Sequence, residues 1–284
     1  MKLLERLSCP YCEETEFKTL YIENYNSNHL KNFLSNYYKN DEVIDLLKSD
    51  VYEIVECNQC EGMFQKYIPD EELSYYLYEK LISPEESFNK KKNIIKTNYK
   101  EYTLDSKIIR NLIKKNNNEI KILEFGCGWG FWTKFMKELN FDVETVEISD
   151  SRIDFLNKNK LHNYKNLNEI NKKFDFIFSN QAMEHISNPL KTLNDLADKL
   201  NENGFMFHKF PSSFFFKSRL TKNYKPKKDC AHPLEHINIF NKKSFETMSK
   251  LIHLKKISIN DKNLINKIKI LKNNFIFNQI ILKK

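Results

Sequence analysis

Three of the chain's five glycines fall within five positions, in Leu123-Glu124-Phe125-Gly126-Cys127-Gly128-Trp129-Gly130. An apolar run, Ile120 to Phe125, precedes them, and a helical pattern, Phe131 to Leu139, follows. Missing Cβ atoms at a strand-to-helix turn let a ligand approach the backbone. This feature commits the surrounding chain to an α/β fold with a ligand at the carboxyl end of a strand. The periodicity around it agrees. Val143 to Ile148, Phe174 to Ser179 and Phe205 to Phe210 read as further buried strands. Leu104 to Ile113, Ser151 to Asn159 and Pro189 to Leu200 read as helices, the last closed by Asn203-Gly204. Such alternation predicts βαβ units and a parallel sheet. The tail, Leu254 to Leu282, has two alternating apolar stretches suited to closing antiparallel strands. Glu147 ends the strand after the glycines, where an acid accepts hydrogen bonds from the ribose hydroxyls of a nucleoside.

The first part of the chain carries a different signal. Cys9-Pro-Tyr-Cys12 and Cys57-Asn-Gln-Cys60 offer four thiolates in two turns, the make-up of a closed tetrahedral zinc site. Two unrelated turns, or a redox pair, are the alternatives; two pairs in one small domain argue against the redox reading. The 44 residues between the pairs exceed ribbon spacing, so residues 24–50 form an insertion, helical from Leu30 to Leu47 with a break near Asn40-Asp41. Phe17 to Ile22 and Val51 to Val55 read as strands. Pro69-Asp70-Glu71-Glu72 starts a helix reaching Leu81, and Ser83-Pro84 starts another. Cys127 and Cys230 have no sequence partner. Two domains are expected: residues 1–88 around zinc, and 89–284 as the doubly wound α/β domain.

Charge sharpens that division. The net charge of +8 invites a nucleic-acid reading. However, residues 1–88 hold eight basic and 18 acidic side chains, a net of −10, which leaves +18 on the remainder. Four zinc-bound thiolates would add further negative charge, and such a surface repels phosphate. A small anionic substrate fits better than a duplex, with Lys222, Lys225, Lys227 or Lys228 as its partners; a solvated lysine surface is the bland alternative. No run approaches the ~20 apolar residues of a membrane span. The segment MKLLERLSCPYCEE lacks the apolar stretch of a signal peptide, so a cytoplasmic protein is expected.

The pattern E-x-G-x-G-x-G after a strand, an acid closing the next strand, and Phe-Asp-Phe-Ile-Phe-Ser-Asn (174–180) resemble the class I S-adenosylmethionine-dependent methyltransferases. So does the stretch Met183 to Pro211, and the resemblance covers roughly residues 104 to 260. It implies a Rossmann-like sheet and a cofactor cradle made by Glu124, Phe125, Gly126, Cys127, Gly128 and Gly130. It also implies that Glu147 binds the ribose, Ile148 packs on the adenine and Asn180 lies near the sulfonium. Asn168 or Glu169 is the candidate for the adenine amino group. Trp129 and Trp132 read as core or cofactor-wall aromatics.

The two CxxC pairs, their spacing and the aromatic-rich segment after them are similar to the sugar-nucleotide C-methyltransferases. That likeness implies pocket tyrosines at Tyr76 and Tyr78, and a base at Glu235-His236 within AHPLEHINIF, where Pro233-Leu234 departs from the family's pattern. His236, Glu235 and His185 are therefore the catalytic candidates; a histidine that merely holds a loop is the other reading of His236. In some relatives of the fold, including ubiquinone O-methyltransferases, an E-x-x-E-H run holds a divalent metal. Here Gln181, Glu184, His185 and His236 stand in that relation, with Gln181 a poor ligand for a hard cation. The function expected is methyl transfer from S-adenosylmethionine to a small, sugar-like or otherwise anionic metabolite. An RNA methyltransferase with a zinc module, and a non-catalytic S-adenosylmethionine-binding protein, are the alternatives.

Overall fold

The computed structural model describes residues 1–221, 223–257 and 277–284. Contacts divide the chain into two compact units. Unit 1 comprises Met1–Ser83, Met183–Lys191 and Pro211–Leu251; unit 2 comprises Pro84–Ala182, Thr192–Phe210 and Ile252–Lys284. The first segment of unit 1 ends at Ser83, and the later chain returns to unit 1 twice. The cause is apolar burial: Phe216, Tyr224, Leu234 and Ile239 are buried in the same cluster as Tyr25, Leu34, Tyr52 and Ile54.

The strands of unit 1 are β1 (Leu3–Glu5), β2 (Phe17–Asn24), β3 (Val51–Cys57), β4 (Met63–Gln65) and β5 (Tyr67–Pro69). β2, β3 and β4 form an antiparallel sheet, and β1 pairs with β5. The insertion between β2 and β3 holds helices α1 (Asn28–Tyr38) and α2 (Glu42–Leu47), broken where expected. Ser27 caps α1 by accepting from Leu30 N, and Lys39 ends it with φ 54. Next come α3 (Glu71–Tyr76), capped by Asp70, and a π-helical turn, Leu77–Leu81.

Unit 2 opens with α4 (Pro84–Asn93) and α5 (Ile95–Leu112). The lysine run 90–92 lies in the last turn of α4, where cations suit the helix dipole. Then follow β6 (Lys121–Phe125), α6 (Phe131–Glu138), β7 (Asp142–Val146), α7 (Asp150–Lys158), β8 (Asn163–Tyr164), β9 (Phe174–Asn180), α8 (Pro189–Asp198) and β10 (Leu200–Pro211). The chain closes through α9 (Phe216–Arg219), β11 (Asn238–Ile239), α10 (Lys242–Leu251), β12 (Lys255–Lys256) and β13 (Phe277–Lys283). β11 belongs to unit 1 and extends its sheet by pairing with β4.

The main sheet has the order β12-β13-β10-β9-β6-β7-β8. Strands β10, β9, β6, β7 and β8 are parallel, and β12 pairs antiparallel with β13. β6 is central, and the chain winds away from it first through β7 and β8, then through β9 and β10. This is the expected doubly wound α/β sheet, with its switch point beside β6, where such sheets bind ligands at the carboxyl ends of strands. Phe176, Phe178, Ile122 and Phe207 fill the core beneath.

Three details differ from the sequence reading. α8 stops at Asp198, and Asn203-Gly204 lies inside β10 at a register shift, with Asn203 at φ 63. The strand after the glycines ends at Val146, which leaves Glu147 and Ile148 just beyond it. The middle of the expected tail strands, residues 258–276, lies outside the described residues. Among the described residues, no helix is long and apolar enough to cross a membrane.

Candidate cofactor and histidine sites

The candidate cofactor residues all lie in unit 2. After β6 the backbone turns through Gly126, Gly128 and Gly130 at φ 71, 59 and 66. Gly126 N donates to the Val146 carbonyl at 2.8 Å, tying the loop to β7. A Cβ on Gly126 would lie 2.6 Å from the Ala182 Cβ, and one on Gly130 would lie 2.6 Å from Leu156. A Cβ on Gly128 would meet nothing within 4 Å. Packing therefore requires the outer two glycines, while the middle one borders open space.

Glu147 is buried at the end of β7 and accepts from Gly128 N at 2.7 Å, Ile148 N at 3.1 Å and Ser149 N at 3.0 Å. Arg152 stands 3.6 Å away. The next residue, Ile148, is 73% exposed, an aliphatic face left bare. Asn180 ends β9 with a buried Oδ1 that lacks a hydrogen-bond partner. Glu124 is buried, and desolvation raises its pKa to about 8 against the hydrogen bond from Thr133. Space over Gly128, a bare aliphatic face at Ile148, the Glu147 carboxylate and an orphaned acceptor at Asn180 fit a ligand with an apolar ring, vicinal hydroxyls and an ammonium group. S-adenosylmethionine has all three.

Other residues noted in the sequence are structural. Trp132 stacks on Phe178 at 4.2 Å between ring centroids and donates to Asp105. Trp129 packs edge-on against Phe88 and Phe155. Asp175 accepts from Lys121 N and Lys115, which holds the start of β9. Asn168 and Glu169 lie in an exposed 3-10 turn, where Glu169 accepts from Lys165 N. Cys127 and Cys230 are buried, and burial pushes both thiols up. The sequence reading missed a buried ion pair, Lys209 to Asp105 at 2.7 Å, both side chains under 4% exposed. Lys209 faces Asn180 across β10 and β9, and its carbonyl accepts from Gln181 N, so the pair anchors the cofactor end of the sheet. Its two halves lie 104 residues apart, and no local pattern links them.

The cysteine and histidine clusters belong to unit 1. Sγ of Cys9 lies 3.6 Å from that of Cys60, and Sγ of Cys12 lies 3.6 Å from that of Cys57. All four sulfurs fall within 4.8 Å of one another. A tetrahedron with ~2.3 Å metal–sulfur bonds has edges of about 3.8 Å, so the set fits zinc. The two turns repeat one geometry. Each first cysteine donates its N–H to the carbonyl five residues on and accepts from the N–H four residues on. Glu13 and Glu61, in the same place in each turn, take φ 63 and 55.

Glu184, His185 and His236 each bring one ligand atom within 4.8 Å of the others, and Glu184 is buried. His236 Nδ1 contacts the Asp229 carbonyl. A carbonyl only accepts, so Nδ1 carries the proton and Nε2 is the basic nitrogen. His185 is set the same way by the Glu235 carbonyl at 2.9 Å, with the Tyr78 hydroxyl 2.6 Å from the same nitrogen. Desolvation lowers the His236 pKa to about 4, so it is neutral at pH 7. The Glu235 carboxyl is buried, accepts from the Tyr38 hydroxyl at 3.2 Å, and has its pKa raised by desolvation. Of the two expected pocket tyrosines, Tyr78 joins the histidines, whereas Tyr76 bonds Glu42. Gln181 lies in unit 2, at φ 56. Lys228 reaches the Tyr37 hydroxyl at 3.3 Å; Lys225 and Lys227 are exposed, and Lys222 lies outside the described residues.

The profile of the family described as "Methyltransferase domain" matches residues 97–258, more than half of the chain. The chain belongs to the methyltransferase-domain family. Its domain is that of a class I S-adenosylmethionine-dependent methyltransferase, as the glycine loop implied. Malonyl-[acyl-carrier protein] O-methyltransferase 1 of Ilyobacter polytropus is 30% identical over 116 residues, 37% of this chain and 43% of that protein. The mitochondrial ubiquinone biosynthesis O-methyltransferase of Candida albicans is 28% identical over 107 residues, 32% of each. The chain thus spans less than half the length of these curated relatives. The structure of the plantazolicin methyltransferase BpumL in complex with SAH shares the fold, with TM-score 0.56 at 15% identity over 75% of this chain and 94% of that one. The structure of BamL, also with SAH, gives TM-score 0.54 at 12% identity over 74% of this chain and 93% of that one.

Proposed function

We propose that this methyltransferase acts on a small, anionic, sugar-like metabolite, with S-adenosylmethionine as donor and one structural zinc. The open space over Gly128, set between Glu147 and a loop that packing holds, carries the cofactor reading. When bound, the cofactor supplies an activated methyl group for in-line displacement. The chain supplies position: the loop 124–130 cradles the methionine half, Glu147 takes the ribose, Ile148 covers the adenine and Asn180 lies near the sulfonium. His236, neutral with Nε2 basic, takes the proton that the nucleophile loses; Glu235 and His185 orient it. Lys228, which reaches the Tyr37 hydroxyl near Glu235, favours an anionic substrate.

Calorimetry with S-adenosylmethionine tests the cofactor site, with binding expected for the wild type and none for Gly128→Arg. Labelled S-adenosylmethionine supplied with a metabolite extract tests the substrate class, and loss of labelling in His236→Ala supports the base. A salt-dependent shift of RNA would favour the RNA reading instead. Cofactor binding with no turnover would favour a non-catalytic protein.

One observation favours a second reading of the histidines. A carboxylate and two imidazoles within 4.8 Å are a complete facial set for a divalent cation. A cation there would lower the nucleophile's pKa and replace the base. Metal analysis separates the two: one zinc per chain for the base reading, and a second metal lost in Glu184→Gln for the other.

A further inference from the structure

Residues 212–228, Ser-Ser-Phe-Phe-Phe-Lys-Ser-Arg-Leu-Thr-Lys-Asn-Tyr-Lys-Pro-Lys-Lys, hold six basic residues and no acid. They belong to unit 1, whose first segment, residues 1–83, carries eight basic and 16 acidic side chains. The three consecutive phenylalanines have opposite fates. Phe216 is fully buried, edge-on to Tyr224 at 5.6 Å, and anchors the segment. Phe214 and Phe215 are 59% and 68% exposed, their rings touching at 4.0 Å between centroids. Phe215 holds φ 57, the left-handed region that a bulky residue rarely adopts. The turn is fastened on both sides: Ser213 donates to the Phe240 carbonyl at 2.6 Å, and Ser218 donates to the Phe215 carbonyl at 2.8 Å. The fold therefore accepts backbone strain in order to present two aromatic rings to solvent. Arg219, Lys225 and Lys227 are exposed in the same segment.

We propose that this segment docks the protein on an anionic lipid bilayer, with Phe214 and Phe215 entering the interface and Arg219, Lys225 and Lys227 facing the headgroups. Aromatic tips with basic flanks are the chemistry of interfacial binding, in which apolar insertion and charge attraction add. A single-stranded nucleic acid is a poorer occupant. The two rings lie 4.0 Å apart between centroids and tilt 50° to each other, so they offer no parallel platform for successive bases. A bilayer meets only the protruding tip. The proposal is independent of the methylated substrate.

Co-sedimentation of the full chain with vesicles tests it, comparing pure phosphatidylcholine with phosphatidylcholine containing phosphatidylglycerol, at low and moderate salt. Binding is expected only to the anionic vesicles. Removing Arg219, Lys225 and Lys227 together should weaken it about 100-fold, at about fivefold per charge near the surface. Phe214→Ala with Phe215→Ala should weaken it about tenfold or more, and this variant should keep its zinc content and circular dichroism because both rings are exposed. No binding to anionic vesicles at low salt overturns the proposal. So does binding that the phenylalanine variant leaves unchanged, or that inorganic phosphate or an oligonucleotide displaces at equal charge concentration.

Discussion

At the scale of single residues, the glycine loop separates two demands that look alike in sequence. Gly126 is required by packing, because a Cβ there meets Ala182 at 2.6 Å; Gly128 holds φ 59 beside open space, so no neighbour in the fold excludes a Cβ there. Gly126→Ala should destabilise the fold by about 2–4 kcal/mol, from overpacking and positive φ together. Gly128→Ala should cost only the backbone strain of about 1–2 kcal/mol, yet weaken cofactor binding. Urea unfolding beside calorimetric titration checks this; equal stability losses would refute the distinction. His208 makes a second case. It is fully buried beside Ser179, and desolvation lowers its pKa from 6.5 to about 3. As pH falls below 6.5, the unfolded chain takes the proton and the folded one does not, so stability present above 6.5 is lost on acidification. The loss is about 2 kcal/mol between pH 7 and 5 from this group. Unfolding at the two pH values should show a smaller drop for His208→Gln than for the wild type. The loop was legible because glycine is rare in this chain, and clustering in a rare residue stands out. The Asp105–Lys209 pair and the burial of His208 were not, because each depends on strands that are neighbours only in the folded sheet.

At the scale of elements, the strongly patterned ones were readable and the short ones were not. β6 and β9 are rich in apolar residues, Ile122, Leu123 and Phe125 in one and Phe174, Phe176, Ile177 and Phe178 in the other, and the break between α1 and α2 follows from Asn40-Asp41. β8 and β11 have two residues each, too few for any periodicity, and exist only because a neighbouring strand offers partners. The two cysteine turns show how far local spacing reaches: their four sulfurs come within 4.8 Å of one another across 44 intervening residues. Their packing makes a prediction about Gly62. A Cβ there would fall 2.2 Å from the Tyr11 ring and 2.8 Å from the Ser244 Cβ. Tyr11 cannot yield easily, since it is buried, donates to the Met63 carbonyl at 2.6 Å and accepts from Ile239 N at 3.0 Å. Gly62→Ala should therefore cost about 1–3 kcal/mol. It should also weaken zinc retention against a chelator, measured by competition with a metal indicator. Unchanged retention would show that the turn is not held by this contact.

At the scale of the whole molecule, the division into units changes what a zinc ion on the four cysteines would hold together. A reading by sequence position assigns residues 1–88 to zinc and everything after to catalysis. The folded chain instead returns 183–191 and 211–251 to the cysteine-bearing unit, so Glu184, His185, Glu235 and His236 depend on the same apolar cluster as β2 and β3. The candidate cofactor residues Glu124 to Gly130, Glu147 and Asn180 all lie in the other unit. That return was illegible in sequence because the residues that drive it, Phe216, Tyr224 and Ile239, carry no mark of which core they enter. Metal-linked folding energy should therefore act on the histidines and not on the cofactor cradle. Removing zinc with a chelator, or by Cys57→Ser with Cys60→Ser, should abolish methyl transfer while leaving S-adenosylmethionine affinity within about threefold, under about 0.7 kcal/mol. Calorimetry and a labelled-methyl assay on the same preparation read the two quantities separately. Equal loss of both would mean that the units do not fold as separate bodies, and loss of neither would remove the zinc site from any role in holding the histidines.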